Sequence, residues 1–266
     1  MSLLSNPLQN RKSQADALRR TENLQNKMTN SIDVSFDHRL EAGVEDIDTH
    51  SPTLKKHHQL LWIKPLPSGE VFDLKPMPNR YLVFRPDNLV YSLSSDQMSN
   101  SFRSTKRMKH ITGQVPEHEL DEFQYLGSTV GGTILFPGKQ INRRRTINQV
   151  RGMNDQIEDR FDLTLECIRL QYLGLPNPLD ETLGLYWKFF ELFTDFEHYV
   201  EFFLLQDLVE SGKVRFYLPN DGFAKSALPR SIDEYLEYMA KAKSFLRARN
   251  RRIQDWAISQ GLNKPA

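Results

Sequence analysis

A change of pattern at residue 146 constrains the fold of this chain more than any other feature of its sequence. Between residues 65 and 138, short β-prone runs alternate with prolines and glycines, which is typical of short strands joined by turns. From Thr146 to about residue 260, apolar residues recur at helical spacing, and Gly and Pro residues separate the segments. The pattern predicts an α+β fold, in which a small antiparallel sheet from the N-terminal half packs on a mainly helical C-terminal half.

The β-prone runs predict the individual strands. The runs of the N-terminal half are Glu70 to Leu74, Arg80 to Arg85, Leu89 to Leu93, Phe123 to Leu126 and Thr129 to Phe136. The last two form a predicted hairpin. A later run, Val214 to Leu218, is predicted to be a strand that joins the same sheet.

Helix signals are clear at two places. Ser51 followed by Pro52 predicts an N-cap and a first helical residue, and the helix should end before Pro65. Ser231 with Glu234 predicts a capping box that begins a long helix to about Ser259. The predicted inner face of this long helix contains Tyr235, Leu236, Met239, Phe245, Leu246, Ile253 and Trp256. The predicted outer face contains Lys241, Lys243, Arg247, Arg249, Arg251 and Arg252.

A central helix is predicted from about Asp155. An apolar stripe at steps of four, four and three, typical of one helix face, consists of Ile157, Phe161, Leu165 and Ile168. The helix after it, Phe196 to Val209, is apolar on nearly every side and is predicted to be the most buried element.

Length and composition bound the organisation of the chain. We predict a polar N-terminal arm over residues 1–32 and a single α+β domain over 33–266, β-rich over 65–138 and helical over 146–260. The arm lacks the apolar centre of a signal peptide, and charges interrupt the most apolar region, Leu183 to Val209. We therefore expect no membrane association and a cytoplasmic location. Cys167 is the only cysteine, so no intrachain disulfide is expected, and its apolar helix predicts a buried side chain.

The common sequence motifs of catalysis are absent. The chain has no Walker A loop, no GxGxxG, no GxSxG and no HExxH, and its seven histidines show no metal-ligand spacing. The sequence predicts no metal site and leaves any cofactor undetermined. A Ser/His/Asp triad stays open, because its members need to be neighbours only in space.

A cluster of charged and amide residues around the central helix is the main candidate site. Asp162 and Glu166 are four residues apart on one helix face, so either is a candidate catalytic base. The basic and amide residues nearby suit an anionic group, which the Ser94–Asp96 turn could complete. The proposed ligand contacts are Ser94, Ser95, Asp96, Arg145, Asn148, Arg151 and Arg160. The alternative is a buried structural network of ion pairs.

Three basic blocks without an acidic residue extend from Arg103 to Lys109, from Lys139 to Arg151 and from Lys241 to Arg252. If they converged on one surface, they could bind a nucleotide or a nucleic-acid backbone. A basic helix face can also dock a protein partner. Solvated basic faces are common, and aromatic residues are scarce among these bases.

Several runs of the sequence together resemble a known family. They are SPTLKKHHQLLWIKPLPSGEVFDL, LSSD, TINQVRG, DRFDLTLECIR, DFEHYVEFFLLQDLV and RFYLP. These runs are similar to those of a bacterial family of uncharacterised proteins, catalogued as a domain of unknown function, over about Asp33 to Ile253. Members tend to have an Arg and a His after the ECIR run, where this chain has Leu170 and Gln171. The resemblance implies one globular domain and no particular chemistry.

The leading hypothesis from the sequence is a soluble binding module for a phosphorylated or other anionic ligand. One alternative is a hydrolase or transferase with Asp162 or Glu166 as base, which predicts a cleft containing a carboxylate of raised pKa. The other is a protein-interaction module that uses its basic helix face and polar arm.

Overall fold

The structure, a computed structural model, describes residues 31–77, 82–86 and 89–264. The eleven α-helices of the described residues are α1 (Arg39–Ala42), α2 (Ile47–His50), α3 (Pro52–Trp62), α4 (Lys109–Thr112), α5 (Glu117–Gly127), α6 (Ile147–Met153), α7 (Phe161–Tyr172), α8 (Asp180–Leu185), α9 (Trp187–Phe190), α10 (Phe196–Phe202) and α11 (Ile232–Ser259). The strands are β1 (Lys75–Pro76), β2 (Leu82–Phe84), β3 (Tyr91–Gln97), β4 (Thr133–Pro137), β5 (Val209–Glu210) and β6 (Lys213–Val214).

The predicted α+β fold is confirmed. Strands β1 to β4 form one antiparallel sheet in chain order, all of it in the N-terminal half. Leu93 of β3 pairs with Leu82 of β2 on one side and with Pro137 of β4 on the other. All five residues of β4 are buried, and α6 and α11 lie against the chain on this side of the sheet. The mainly helical C-terminal half therefore covers the sheet.

Strand β3 positions polar groups on both faces of the sheet, because successive side chains of a strand point to opposite sides. Ser94 contacts Asn148 and Asp96 contacts Arg151, both residues of α6. Ser95 points the other way and contacts His58 of α3. The Ser-Ser-Asp run is thus neither a helix cap nor a turn but part of strand β3, in which Ser94 and Ser95 are buried and Asp96 is half-buried.

The helix predicted at Ser51 is confirmed. The Ser51 side chain accepts a hydrogen bond from Leu54 N at 3.1 Å, and Pro52 occupies the first helical position of α3. The long C-terminal helix α11 is also confirmed, with Ser231 accepting from Glu234 N. The Glu234 carboxylate accepts from Arg230 N, so only half of the predicted capping box forms.

Three predicted strands are wrong. Glu70 to Leu74 forms no strand; within it only Val71 makes an isolated bridge, to Pro65, and β1 begins after it at Lys75. Phe123 to Leu126 belongs to α5, in which Leu120, Phe123 and Leu126 share one buried face at a spacing of three residues. The four-residue window was too short to show that helical period. Val214 does not join the main sheet: β6 pairs with β5 in a separate two-stranded hairpin. Its Gly212 turn keeps the pairing local.

The predicted central helix begins later than expected. A turn separates α6 from α7, and Glu158 and Asp159 within it have φ angles of 47° and 58°. Ile157 lies in this turn, yet it is fully buried together with Phe161 of α7. The first eight residues of α7, from Phe161 to Ile168, are all buried. Among the described helices, α7 has the longest run of consecutive buried residues. The predicted Phe196–Val209 helix is shorter than expected, because α10 ends at Phe202.

The faces of α11 need three corrections. Leu236, predicted inside, is 40% exposed, whereas Lys243 and Arg249, predicted outside, are buried. The other predicted inner residues contact the core. Lys243 can be buried because its ammonium group donates hydrogen bonds to the Glu119 and Glu122 carboxylates.

The described ends of the chain lie beside each other. Ile32 is buried, and its N and O atoms exchange hydrogen bonds with the Asn263 amide at 2.9 and 2.7 Å. The predicted arm lies outside the described residues except for residues 31 and 32. None of the described helices has both the length and the apolarity needed to cross a bilayer.

Candidate functional site

Arg151 of α6 is fully buried and joins three parts of the chain. Its Nε donates to Thr164 Oγ1 of α7 at 3.1 Å, and its Nη2 donates to the Asp159 carbonyl at 2.8 Å. Its Nη1 donates to the Asp96 carboxylate and to the Gln97 carbonyl, the latter at 3.1 Å. The carboxylate of Asp159 lies 3.6 Å from the same Nη1 atom. The guanidinium therefore fixes two carboxylates beside each other.

Both carboxylates face a polar cavity of about 370 Å³, which we call the Asp96 pocket. The Asp96 and Asp159 side chains are 25% and 32% exposed, so the cavity reaches solvent at them. Hydroxyl, amide and carboxylate groups dominate its wall. The lining residues are Arg39, Asp96, Gln97, Ser99, Asn100, Ser101, Ser104, Phe123, Gln124, Gly127, Ser128 and Asp159.

The pKa of the Asp96 carboxyl group is raised. Burial of its carboxylate raises the pKa of Asp96 to about 6, and Asp159 acts in the same direction. The positive charge of Arg151 opposes this shift but does not cancel it. A carboxyl group with such a pKa can hold or release a proton close to pH 6.

The backbone at Asp159 is shaped to present its carboxylate. Positive φ angles at two successive non-glycine residues, Glu158 and Asp159, are energetically costly and are concentrated at functional sites. Asn100 Nδ2 donates to Asp159 Oδ2 at 3.2 Å from the opposite wall. Gly152 makes room for this arrangement, since a Cβ atom there would lie 2.9 Å from Asp159 Oδ1.

Of the predicted ligand contacts, only Asp96 lines the Asp96 pocket. Arg151 lies directly behind the wall, with its donors directed to protein groups. Ser94 Oγ accepts from Asn148 Nδ2 at 3.1 Å, and Asn148 Oδ1 is a buried acceptor with no hydrogen-bond partner within the described chain. Arg145 is exposed on the loop before α6.

Arg160 and Asp162 form a sealed pair. Arg160 Nη2 donates to Asp162 Oδ2 at 2.6 Å, and both side chains are buried. Asp162 also accepts from Tyr217 N at 2.9 Å, and Arg160 donates to the Ala227 carbonyl at 3.1 Å. This pair ties the start of α7 to the segment after β6.

Glu166, the other candidate base, pairs with Arg169 through two hydrogen bonds of 2.7 and 2.8 Å. Its side chain is only 10% exposed. Neither Asp162 nor Glu166 is among the residues that line the Asp96 pocket.

Ser95 and His58 resemble a catalytic dyad, with His58 Nε2 at 3.0 Å from Ser95 Oγ. However, Trp62 Nε1–H donates to His58 Nδ1 at 2.9 Å. A neutral imidazole that accepts at Nδ1 carries its proton on Nε2, so His58 donates to the serine and cannot act as its base. Burial also lowers the pKa of His58 well below its usual value. The Ser95–His58 contact is structural.

Many basic residues of the three blocks form ion pairs with acidic side chains. Arg103 bonds Asp121, and Arg107 contacts Asp155 and Glu158. In the other blocks the pairs are Arg144 with Glu181, Lys241 with Glu237, Lys243 with Glu119 and Glu122, Arg247 with Glu122, and Arg252 with Asp207. These pairs neutralise much of the predicted basic surface.

The described residues contain neither a group of side chains that could hold a metal ion nor a reactive thiol. No group of three or more His, Cys, Asp or Glu side chains among residues 31–77, 82–86 and 89–264 could hold a metal ion. Cys167 is buried, and burial raises the pKa of its thiol. A buried neutral thiol is a poor nucleophile.

Sequence reasoning missed most of the pocket wall. Asn100 and the serines beside it follow β3 directly in the run QMSNSFRS, and that polar run after a strand was an available signal. Gln124 and Gly127 come from α5, whose helical nature was itself missed.

Comparison with known proteins gives one result. A model of a family of unknown function, DUF6994, matches residues 32–253. No curated protein and no solved structure matches the chain. The matched range agrees with the resemblance predicted over Asp33 to Ile253. Because the match covers most of its length, the chain belongs to the family of unknown function DUF6994.

Proposed function

We propose that the protein binds a small, uncharged, polyhydroxylated ligand, such as a sugar, in the Asp96 pocket. The single observation that carries this proposal is the composition of the wall, in which two carboxylates stand among serine hydroxyls and side-chain amides. Carboxylates accept strong hydrogen bonds from hydroxyl groups, and hydroxyls and amides both donate and accept. The volume of about 370 Å³ is in the range of small-molecule sites.

The pocket is also partly ordered in advance. Asn100 holds Asp159, Gln124 Nε2 donates to Ser101 Oγ at 3.2 Å, and Gln97 Nε2 donates to Ser128 Oγ at 3.1 Å. Fixed donors and acceptors reduce the entropy lost on binding. Phe123 adds one apolar surface, against which the carbon face of a sugar ring can pack.

The anionic-ligand hypothesis receives less support from this geometry. Arg151 donates four hydrogen bonds to protein acceptors, and Arg160 is paired with Asp162 in the protein interior. The cation on the pocket wall, Arg39, makes hydrogen bonds of 2.7 to 3.1 Å with the Asp37 carboxylate. A phosphate in this pocket would meet two carboxylates and no uncommitted guanidinium.

The other two hypotheses fit less well too. A hydrolase that uses Asp162 or Glu166 as base needs a substrate to reach a buried, paired carboxylate. A protein or nucleic-acid partner that binds a basic face would meet the carboxylates paired with its cations, which lower the net positive charge of that face. Neither hypothesis explains why the chain builds a hydroxyl-rich cavity.

Isothermal titration calorimetry with two ligand panels tests the proposal. One panel contains glucose, galactose, mannose, xylose and N-acetylglucosamine, and the other contains their phosphates and AMP. We expect a neutral sugar to bind and Asp159→Ala to weaken that binding by about 10-fold or more, the magnitude of a hydrogen bond to a charged group. Glu237→Gln, on the exposed side of α11, is the control and should bind normally. Binding of the phosphates alone would restore the anionic hypothesis, and binding of neither panel would refute the proposal.

A further inference from the structure

The two carboxylates of the Asp96 pocket are close enough to act on one bond. Asp96 accepts a hydrogen bond from Arg151 Nη1, and Asp159 Oδ1 lies 3.6 Å from that same nitrogen. Since both oxygens contact one nitrogen atom, they are at most about 6 Å apart. Catalytic carboxyl pairs about 5 to 5.5 Å apart occur in glycoside hydrolases that retain the anomeric configuration, in which one carboxylate is the nucleophile.

We propose that Asp96, as general acid and then base, and Asp159, as nucleophile, hydrolyse the acetal linkage of a glycoside bound in this pocket. This inference rests on the proposed function, because it needs a sugar at the two carboxylates. It assigns the reaction to residues other than Asp162 and Glu166, which are paired away from the cavity.

The two carboxylates have different surroundings, and this difference assigns their roles. Asp96 is the more buried and its pKa is raised to about 6, so a substantial fraction carries a proton in weak acid. Asp159 is the more exposed, and it accepts a hydrogen bond from Asn100 on the opposite wall. Asp96 is therefore the acid, and Asp159 is the nucleophile.

The step is balanced in atoms and charge. Asp96 gives its proton to the leaving oxygen as the bond between that oxygen and the anomeric carbon breaks, and an Asp159 carboxylate oxygen bonds to the anomeric carbon. A water oxygen then bonds to this carbon as its bond to Asp159 breaks, and Asp96 takes the proton of this water. One glycoside and one water yield one sugar and one alcohol, and both carboxyl groups return to their starting forms.

Arg151 is a positioning residue in this scheme. It contacts both carboxylates from behind the wall and is fully buried, so it touches no substrate. Its positive charge keeps the pKa of Asp96 from rising further. Gly152, the next residue, provides the space for Asp159.

Hydrolysis of methyl and 4-nitrophenyl glycosides of the five sugars above tests the inference with the full chain. We expect wild-type turnover that falls as the pH rises through about 6, as Asp96 loses its proton. Asp159→Asn should lower kcat by about 100-fold or more, because an amide cannot act as the nucleophile, while sugar binding falls less than 10-fold. Glu237→Gln should keep full activity.

The leaving group distinguishes the acid from the nucleophile. Asp96→Asn should lose more activity on the methyl glycoside than on the 4-nitrophenyl glycoside, because nitrophenolate leaves without a proton. If Asp96→Asn fails to fold, Asp159→Asn alone decides.

The failures of the two proposals are separable. If the protein binds a sugar but hydrolyses neither of its glycosides, the acid–base inference is overturned and the binding proposal stands. Turnover that survives Asp159→Asn with unchanged kcat also overturns the inference. If no sugar binds, both proposals fall.

Discussion

Arg249 of the long helix caps the C-terminal end of another helix, since its Nε and Nη2 atoms donate to the Phe203 carbonyl at 3.2 and 3.0 Å. Phe203 follows the last residue of α10, where carbonyls are without helical partners and the helix dipole is negative. Arg249 Nη1 donates also to the Gly131 and Thr133 carbonyls, beside β4. One buried cation therefore joins three parts of the fold.

Loss of this cation should be among the most destabilising single changes. Arg249→Leu leaves buried carbonyls unpaired, and we expect the free energy of unfolding to fall by about 3 to 5 kcal/mol. Arg251→Leu, two residues along the same helix but exposed, should change it by less than about 0.5 kcal/mol. Urea denaturation of both variants measures the difference. Equal effects would show that Arg249 contributes little through its carbonyl contacts.

Gly152 should be required for the pocket and not for the helix. In a helix interior alanine is normally favoured over glycine by about 1 kcal/mol, but a Cβ atom at Gly152 meets the Asp159 carboxylate. We expect Gly152→Ala to displace Asp159 and to weaken sugar binding by about 10-fold. Gly184→Ala is the matched control, because a Cβ atom at this helical glycine has nothing within 4 Å. Calorimetric titration that finds normal binding by Gly152→Ala would contradict this prediction.

The buried His38–His57 pair should make folding sensitive to acid. Asp33 N donates to His57 Nε2, so the His57 Nδ1 proton points to His38 Nε2, and the His38 Nδ1 proton to the Ser128 carbonyl. Both rings are thus neutral, and a further proton on either would face another donor. Burial, and to a smaller extent His38, lowers the pKa of His57 to about 4. The negative charges of Asp33 and Glu41 act in the opposite direction but do not cancel this shift.

The sign of this effect follows from linkage. The unfolded chain binds protons at His57 with a pKa of about 6.5 and the folded chain at about 4, so stability is lost as the pH falls between them. The contribution is about 3 kcal/mol. Urea denaturation between pH 7 and pH 4 should give a shallower loss for His57→Gln than for wild type. His118→Gln, at an exposed position, should follow wild type; a His57→Gln profile parallel to wild type would exclude the pair as the cause.

Asp48 should act in the opposite direction. Burial raises the pKa of Asp48 to about 7, although its hydrogen bond from Ser95 N opposes the shift. The folded chain then holds this proton more tightly than the unfolded chain, so stability is lost as the pH rises from about 4 to 7. Asp48→Asn keeps an acceptor for Ser95 N without the charge. We expect it to be more stable than wild type at pH 8, by up to about 4 kcal/mol, and equal to it near pH 4. Denaturation at the two pH values measures this; a variant less stable at pH 8 would contradict it.

The local patterns of the sequence were sufficient for the class of fold. Pro-broken β-prone runs before residue 138 and helical spacing after Thr146 predicted the sheet and the helical half. Ser51 and Ser231 predicted two helix starts, because a cap depends on residues within one turn of each other.

Only the tertiary structure decided which polar groups share a site. Asp159 is more than fifty residues from Asp96 and Asn100 in the sequence. The buried guanidinium of Arg151 brings the Asp96 and Asp159 carboxylates together. The local pattern indicated charged residues near Asp162 but could not show that Asp162 is buried and paired with Arg160. Likewise, a helical wheel places Arg249 outside, and the free carbonyls of Phe203, Gly131 and Thr133 bring it inside. Periodicity records which residues face apolar surroundings, whereas the burial of a charge depends on partners that are distant in sequence.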